Sequence, residues 1–252
     1  MRRSVALALT AGAAAVLLTG CGGGNRADGA GASPKPSVAT TPTTVVGTAP
    51  TTGAPTIVPI TAVPAFAASV APVTAADLGE SWRDGCPVGP DQLRRITLSY
   101  WDFDGVARSG ALVVNVDVAD AVTTIFRRLF DQRVPIRRIE PVDRYAGSDD
   151  ASMAADNTSA FNCRRAVTTG PAQWSAHAFG RAIDVNPVEN PYVLGGEVLP
   201  PEGAPFVDRT TVRTGMAVPG NPLVEAFAAS GWQWGGRWTG SPDYQHFSAD
   251  GS

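Results

Sequence analysis

The stretch "SAHAFGRAIDVNP", residues 175–187, is the part of this chain from which its fold can best be argued. It contains His177, one of only two histidines among 252 residues, and Asp184 follows seven positions later. Ile183 and Val185 flank that aspartate, and β-branched residues in such a run are typical of a strand. The sequence therefore predicts that His177 lies in the approach to a strand and that Asp184 lies within it.

The second histidine, His246, lies in "DYQHFS", a short stretch whose tyrosine and phenylalanine suit a strand. Because side chains alternate along a strand, Phe247 is expected to point away from His246 and into the core. Two neighbouring strands could then bring His177, Asp184 and His246 together. Zinc in hydrolytic sites typically takes three such protein ligands and keeps a position for water. A satisfied core or surface histidine is the alternative for either histidine taken alone.

Two further features favour a metal site over that alternative. Asp243 precedes His246 by three residues, close enough to serve the same water as a general base. Gly180, with the small Ala176 and Ala178, leaves room for a close backbone approach beside His177.

The N-terminus predicts export. Arg2 and Arg3 precede an apolar run over residues 5–18, which is shorter than the roughly 20 residues of a membrane span and is typical of a signal peptide. "LTGC" follows and resembles the lipobox of bacterial lipoproteins, which implies cleavage after residue 20 and a diacylglycerol on Cys21. We therefore expect a protein anchored by lipid to the outer face of the bacterial cell membrane. Ordinary secretion with a free Cys21 is the alternative.

Composition then divides the rest of the chain. Residues 21–71 are rich in glycine, proline, alanine and threonine and lack an apolar period, so they are expected to form a disordered tether that reaches about 40 Å. A lipid-anchored domain on such a tether could act on a nearby insoluble substrate, and a spacer with no role beyond distance is the alternative. Residues 72–252 are long enough for one folded domain with a single core. We expect a tethered monomer.

Charge and cysteines narrow the classes of function. The formal net charge is −3, and no basic stripe with interleaved aromatics appears, so nucleic acid is not an expected partner. If Cys21 is lipidated, Cys86 and Cys163 remain as an even pair, which favours a disulfide in an oxidising compartment. A thiol nucleophile at Cys163 is the alternative, although it lacks a clear activating partner.

The body of the chain predicts mixed secondary structure. Residues 95–100 and 111–116 alternate or are β-branched and are expected to form a hairpin, with Asp102 and Asp104 as turn residues. An amphipathic helix is expected from Val118, capped by Asp117. Residues 136–142 are expected to add a strand, and a second helix to run from a cap at Asn221 to Gly231. These elements indicate an α+β fold: a small antiparallel sheet that carries the site, flanked by helices.

Two sequence blocks carry a family resemblance. "SAHAFGRAID" resembles the S-x-H-x-x-G-x-A-x-D signature of the VanY-like D-alanyl-D-alanine carboxypeptidase family, and "GWQWGGRWTGSPDYQHFS", residues 231–248, resembles its second block. These enzymes are zinc metallopeptidases of bacterial cell walls, and they share a fold with lysostaphin-type endopeptidases and the hedgehog signalling domain. The resemblance extends over roughly residues 86–248.

The resemblance implies a role for each matching residue. His177, Asp184 and His246 would hold Zn²⁺, and Asp243 would take the place of the catalytic carboxylate. Arg164 is the candidate for the arginine that stabilises the oxyanion or holds a substrate carboxylate, with the adjacent Arg165 as its rival. Further candidates for substrate contact are Ser175, Trp174 and Tyr244.

Each of these lesser candidates has a structural alternative. Ser175 could equally be a turn residue. The tryptophans and Tyr244 could line a cleft or fill the core, and the core is expected for Trp232 and Trp234. Gly235 and Gly236 are expected to form a tight turn near the metal.

Two classes of function remain open from the sequence. The first is a zinc-dependent metallopeptidase that hydrolyses peptidoglycan stem peptides, as a D-alanyl-D-alanine carboxypeptidase or a related endopeptidase. The second is a zinc-containing module that binds cell-wall peptide or a protein partner without catalysis, since the fold alone does not establish activity. Asp243 favours the enzyme, because a binding module has no need of a carboxylate beside the metal.

Overall fold

In a computed structural model of the chain, residues 64–167 and 171–251 are described. The predicted signal peptide, Cys21 and the tether as far as residue 63 lie outside these ranges. Across the described part of the chain, no helix combines the length and the apolar character that crossing a membrane requires.

The first sheet has three antiparallel strands in the order β1-β2-β3: β1 (Ala68–Pro72), β2 (Leu93–Trp101) and β3 (Ala107–Asn115). The predicted hairpin is β2–β3, which pairs Leu93 with Asn115 at one end and Trp101 with Ala107 at the other. Asp102 closes the turn, because its Oδ1 accepts hydrogen bonds from the backbone N–H groups of Asp104 and Val106. Both expectations, the hairpin and the turn role of Asp102, are confirmed.

The strand β1 differs from expectation at the domain boundary. Composition assigned residues 21–71 to the tether, yet residues 68–71 pair with β2 in regular antiparallel register. All five residues of β1 are exposed, so backbone pairing, and not side-chain burial, holds this segment on the sheet. The packed part of the chain therefore begins upstream of Pro72.

Helix α1 (Ala75–Leu78) is a single turn, and the long helix α2 (Ala119–Asp131) packs against the hairpin. The predicted apolar stripe of α2 is confirmed: Val122, Ile125, Phe126 and Leu129 are buried. The cap is different, because α2 begins after a 3-10 turn, Val116–Val118, that the Asn115 side chain caps. Asp117 is not the cap; its carboxylate pairs with Arg181 instead.

Residues 136–142 do not form the expected strand. The segment makes isolated bridges, Trp101 with Pro135 and Ile139 with Thr158, and then enters a 3-10 helix, Val142–Tyr145. Proline at position 141 cannot donate to a ladder, which explains why pairing stops there. The short helix α3 (Asp149–Ala154) follows, with Ser148 as its N-cap.

The second sheet is small and has the order β4-β8-β7: β4 (Ala182–Asp184), β7 (Gln233–Trp234) and β8 (His246–Ser248). A separate hairpin consists of β5 (Tyr192–Leu194) and β6 (Glu197–Leu199). Helix α4 (Pro222–Ala228) begins at the predicted cap, where the Asn221 side chain accepts from Val224 N–H. These elements confirm an α+β fold with small antiparallel sheets.

One apolar core supports both three-stranded sheets. Ile183 of β4 and Phe247 of β8 lie in the same cluster as Ile96 of β2, Phe126 of α2 and Phe227 of α4. Phe247 stacks on Phe227 with ring centroids 4.1 Å apart, and it is buried as predicted. The second sheet is thereby fixed by one face, and its other face is free to carry polar side chains.

The predicted disulfide between Cys86 and Cys163 is formed, with the sulfurs 1.99 Å apart. It lies in a second apolar cluster together with Leu93, Val113 and Phe161. The crosslink fixes the backbone directly before Arg164, the arginine singled out from the sequence.

Candidate metal centre

Three separate elements supply the His/Asp/His set. His177 lies in a 3-10 helix, Ala176–Phe179, that Ser175 caps by accepting a hydrogen bond from the backbone N–H of His177. Asp184 ends β4 and His246 begins β8, and these two residues are directly paired in the antiparallel register. The predicted turn role of Ser175 and the strand positions of Asp184 and His246 are confirmed.

The three side chains meet at one point. Nε2 of His177 lies 3.1 Å from Oδ2 of Asp184 and 3.2 Å from Nδ1 of His246, and Nδ1 of His246 lies 3.2 Å from Oδ1 of Asp184. Tetrahedral ligands about 2.0–2.1 Å from a zinc ion lie roughly 3.3 Å from one another. The spacing and the nitrogen and oxygen donors therefore fit a divalent metal such as zinc.

A hydrogen bond to the backbone, on the side of the ring away from Asp184, fixes the orientation of His177. Its Nδ1 lies 2.6 Å from the backbone carbonyl oxygen of Ala160, so this nitrogen carries the proton and donates it. Nε2, the other ring nitrogen, faces Asp184 and is the atom that would bind a metal. Metal-ligating histidines are commonly oriented by such a hydrogen bond on the far nitrogen.

Asp184 is kept ionised by its two neighbours. The residue is 3% exposed, and burial alone would raise the pKa of its carboxyl group. Charge and hydrogen bonds from His177 and His246 outweigh that effect and hold the pKa of Asp184 well below its ordinary value. The carboxylate is thus present in the form that a metal ligand requires.

Asp243 lies beside this set with a different electrostatic character. It is 9% exposed, and burial is the main reason that its carboxyl pKa rises to about 7, with the nearby Asp184 carboxylate acting in the same direction. Its Oδ1 is buried and meets no hydrogen-bond donor within the described part of the chain. A carboxyl group in this state can both accept and release a proton near neutral pH.

The position of Asp243 depends on Gly235. The backbone N–H of Asp243 donates a hydrogen bond to the carbonyl oxygen of Gly235 at 3.1 Å. A Cβ on Gly235 would lie 2.8 Å from the carbonyl oxygen of Asp243 and 3.3 Å from the Cβ of His246, closer than these atoms normally approach. The predicted close turn at Gly235 is confirmed, and its function is to let the backbone carrying Asp243 approach the sheet.

Arg164, and not Arg165, faces the site. Nε of Arg164 lies 2.9 Å from Oδ2 of Asp149, and the residue lines the same cleft as the histidines. Burial opposes its charge, but Asp149, Asp184 and Asp243 outweigh burial and raise the pKa of the guanidinium above its ordinary value. Arg165 turns away and stacks on Trp174, with its guanidinium carbon 3.8 Å from the ring centroid.

These residues line one cleft of about 530 Å³. Trp174 and Ser175 contribute to its wall, as the sequence suggested. Tyr244 is not among the residues that line the cleft in the described part of the chain, and its contact with substrate stays a prediction. Its ring packs against Trp234 at 6.2 Å and lies under the guanidinium of Arg209 at 4.5 Å, because the peptide bends between Asp243 and His246 and turns Tyr244 toward the core.

From the sequence, the stretch 189–192 could shape the rim of the cleft or form a plain turn, and Trp238 could line the cleft or fill the core; the other residues described next were missed. The hairpin β5–β6 brings Tyr192 and Glu197 to its edge, and α3 contributes Met153. Trp238 and Gln245, both inside the second motif block, line it as well. A pattern of short loops and short helices gave no signal for Glu197 and Met153, since nothing in their spacing indicates which side faces the metal.

The segment 158–162 was also missed, although it holds the site together. Ser159 exchanges two backbone hydrogen bonds with Asp184, and Ala160 holds the His177 ring. Asn162 N–H donates to the carbonyl oxygen of His177 at 3.2 Å. These contacts are made by backbone atoms, so the side-chain sequence of the segment carries little trace of them.

The candidate metal centre lies in a segment that matches a known protein family. Residues 169–249 match the D-alanyl-D-alanine carboxypeptidase family model. The match contains all three residues of the His/Asp/His set and Asp243, and it spans about a third of the chain. It confirms the resemblance for this segment and supports a carboxypeptidase-like peptidase; Arg164 and the disulfide lie outside it. No curated protein and no solved structure matches the chain significantly.

Proposed function

We propose that this protein is a zinc-dependent metallopeptidase that hydrolyses peptidoglycan stem peptides, acting as a D-alanyl-D-alanine carboxypeptidase. The observation that carries the proposal is the position of a buried carboxyl group, Asp243, beside the His177/Asp184/His246 set in one cleft. The family match over residues 169–249 supports this class of substrate.

His177, Asp184 and His246 are the residues that would hold the metal. When bound, zinc supplies Lewis-acid chemistry: it polarises a carbonyl group and makes water a usable nucleophile near pH 7. The chain's own contribution is to present one carboxylate and two imidazole nitrogens on a rigid frame of β4, β8 and a capped 3-10 helix.

Asp243 would move the proton. Its carboxylate accepts a proton from the attacking water, and the same carboxyl group then delivers it to the amine that leaves as the peptide bond breaks. Partial burial of the cleft strengthens this exchange, because fewer water molecules compete for the carboxylate.

Arg164 would stabilise negative charge on the substrate. A guanidinium in this cleft can bind either the developing oxyanion or the terminal carboxylate of the peptide. Asp149 holds the side chain from behind at 2.9 Å, and the Cys86–Cys163 disulfide fixes the backbone that precedes it.

The location of the protein belongs to the same proposal. A signal peptide over residues 1–20 and a lipid on Cys21 would place the enzyme outside the membrane, where its substrate is found. The lipobox-like "LTGC" supports this, and an exported disulfide protein is consistent with it.

The proposal is tested by incubating the purified protein with a muropeptide mixture and reading the products by mass spectrometry. Zinc-loaded protein is expected to release a terminal alanine, and both chelator treatment and the Asp243→Asn substitution are expected to abolish the release. Cleavage inside the stem peptide would instead make the protein an endopeptidase. Zinc binding without any cleavage would contradict the peptidase and favour a binding module.

A further inference from the structure

The cleft contains a buried polar side chain that the proposed mechanism does not use. Gln245 lies between Tyr244 and His246 in the second motif block, is 2% exposed and lines the cleft. Its backbone carbonyl oxygen accepts a hydrogen bond from Val185 N–H at 3.0 Å, which continues the pairing of β4 with β8. The residue is therefore held on the same rigid frame as Asp184 and His246.

The two ends of the Gln245 amide are in different situations. Nε2 donates to the Sδ of Met153, in α3, at 3.4 Å. Oε1 is buried and has no hydrogen-bond donor among residues 64–167 and 171–251. A buried carbonyl oxygen without a donor destabilises the folded state, and such groups are rare in folded proteins. This atom therefore favours a ligand that brings an N–H group.

The charge of the cleft points to the same kind of ligand. Its described lining includes the carboxylates of Asp149, Asp150, Asp184, Glu197 and Asp243, against the guanidinium of Arg164. Acidic side chains thus outnumber the basic one among the charged groups of the described lining. A neutral backbone amide suits a neutral buried acceptor better than an ammonium group, because burying a charge beside an uncharged oxygen costs more free energy.

We propose that Gln245 is a substrate-positioning residue, whose Oε1 accepts a hydrogen bond from a backbone N–H of the bound peptide close to the scissile bond. The inference rests on the proposed peptidase function and adds to it the group that sets the register of the peptide. One hydrogen bond at a fixed point beside His246 places the carbonyl to be attacked and prevents the peptide from sliding by a residue.

The test uses acetylated Lys-D-Ala-D-Ala and two analogues, in each of which one non-scissile backbone N–H is replaced by an ester oxygen. Release of the terminal alanine gives kcat/KM for each peptide with zinc-loaded wild type, Gln245→Met and Gln245→Glu. Methionine has a similar length and lacks the acceptor, whereas glutamate retains an acceptor oxygen. Gln245→Leu is the second acceptor-free variant should Gln245→Met fail to fold, as judged by thermal melting.

One analogue is expected to lose about 5- to 100-fold in kcat/KM with the wild type, the value of one hydrogen bond to a buried group. Gln245→Met is expected to show that loss already with the unmodified peptide and to discriminate little further against the analogue. Gln245→Glu is expected to retain the discrimination.

Equal discrimination by wild type and Gln245→Met would overturn the positioning role while leaving the peptidase intact. If the wild type releases alanine from none of the three peptides, the carboxypeptidase proposal is overturned, and the inference with it. A merely structural Gln245 would lower kcat/KM for all three peptides by the same factor, which also counts against the proposal.

Discussion

Asp184 and His246 are directly opposite each other in the β4–β8 ladder, with Oδ1 and Nδ1 only 3.2 Å apart. The sheet register itself therefore forms two thirds of the candidate metal site. A shift of either strand by one residue would turn its own ligand, Asp184 or His246, toward the core and bring the neighbouring Ile183 or Phe247 to the cleft. The packing of Ile183 and Phe247 in the core opposes that shift, so core packing and site geometry are the same constraint.

The two adjacent arginines provide a matched pair for the cleft. Arg164→Lys keeps a positive charge but loses the fork geometry, and we expect kcat/KM for peptide hydrolysis to fall by about 10- to 100-fold. Arg165→Lys changes a residue that stacks on Trp174, and we expect activity within about twofold of wild type. Equal losses in the two variants, measured with the same peptide, would show that Arg164 has no special role.

Gly235 is expected to be needed for activity more than for folding. Gly235→Ala places a Cβ 2.8 Å from the carbonyl oxygen of Asp243, which must move and carry the carboxylate with it. We expect kcat to fall at least tenfold, on the order that misplacing a catalytic group costs. In Gly240→Ala the added Cβ meets nothing within 4 Å, although φ there is +85°.

Gly240→Ala is the control variant. It is expected to lose about 1 kcal/mol of unfolding free energy through its left-handed backbone but to retain kcat. The measurement is steady-state kinetics together with urea denaturation of both variants. A Gly235→Ala protein with normal kcat would contradict the claim that close packing against Gly235 positions Asp243.

The raised pKa of Glu189 leads us to expect that stability depends on pH in a way that does not involve the metal centre. Burial, followed by the nearby Asp156 carboxylate, raises the pKa of the Glu189 carboxyl to about 8, whereas its ordinary value is 4.5. The folded state then binds this proton more tightly than the unfolded state, so the free energy of unfolding falls as the pH rises from about 4.5 to about 8. Above that window both states are ionised and the contribution is constant.

Glu189→Gln removes this titration. Relative to wild type, the variant is expected to gain on the order of a few kcal/mol between pH 5 and pH 8, measured by urea denaturation across that range. Loss of the Arg137 contact at 3.5 Å offsets part of the gain at high pH. Parallel stability curves for the two proteins would contradict the raised pKa.

The disulfide is expected to be a major source of stability. It joins residues 77 positions apart, and the chain-entropy model assigns a loop of that length about 4–5 kcal/mol. The Cys86→Ser/Cys163→Ser double variant is expected to lose that amount of unfolding free energy by urea denaturation. A loss below about 1 kcal/mol would show that the crosslink constrains little in the unfolded chain.

The site was predictable from the sequence where side-chain chemistry and strand period coincide. The chain has only two histidines. Ile183 and Phe247 mark the core-facing side of their strands, so Asp184 and His246 must project from the opposite side. The hairpin β2–β3 and the stripe of α2 were predictable for the same reason, since alternation and helical period leave few arrangements.

The rest depends on backbone contacts that the sequence does not encode locally. Ser159 and Ala160 hold Asp184 and His177 through main-chain groups, so their side chains give no signal. The sequence left Tyr244 open between cleft and core, because the bend at residues 244 and 245, which turns its ring toward Trp234, has no local sequence signal. The cap of α2 was misjudged because a 3-10 turn precedes the helix and takes Asn115 as its cap.

The most direct test of the account separates metal binding from turnover at two residues that are three positions apart. Zinc content by elemental analysis and alanine release from acetylated Lys-D-Ala-D-Ala are measured for wild type, His246→Ala and Asp243→Asn. We expect about one zinc per chain in wild type and Asp243→Asn, little or none in His246→Ala, and a loss of about 10²- to 10⁴-fold in kcat for Asp243→Asn. Zinc retained by His246→Ala, or near-normal turnover by Asp243→Asn, would contradict the assigned ligand set or the assigned base.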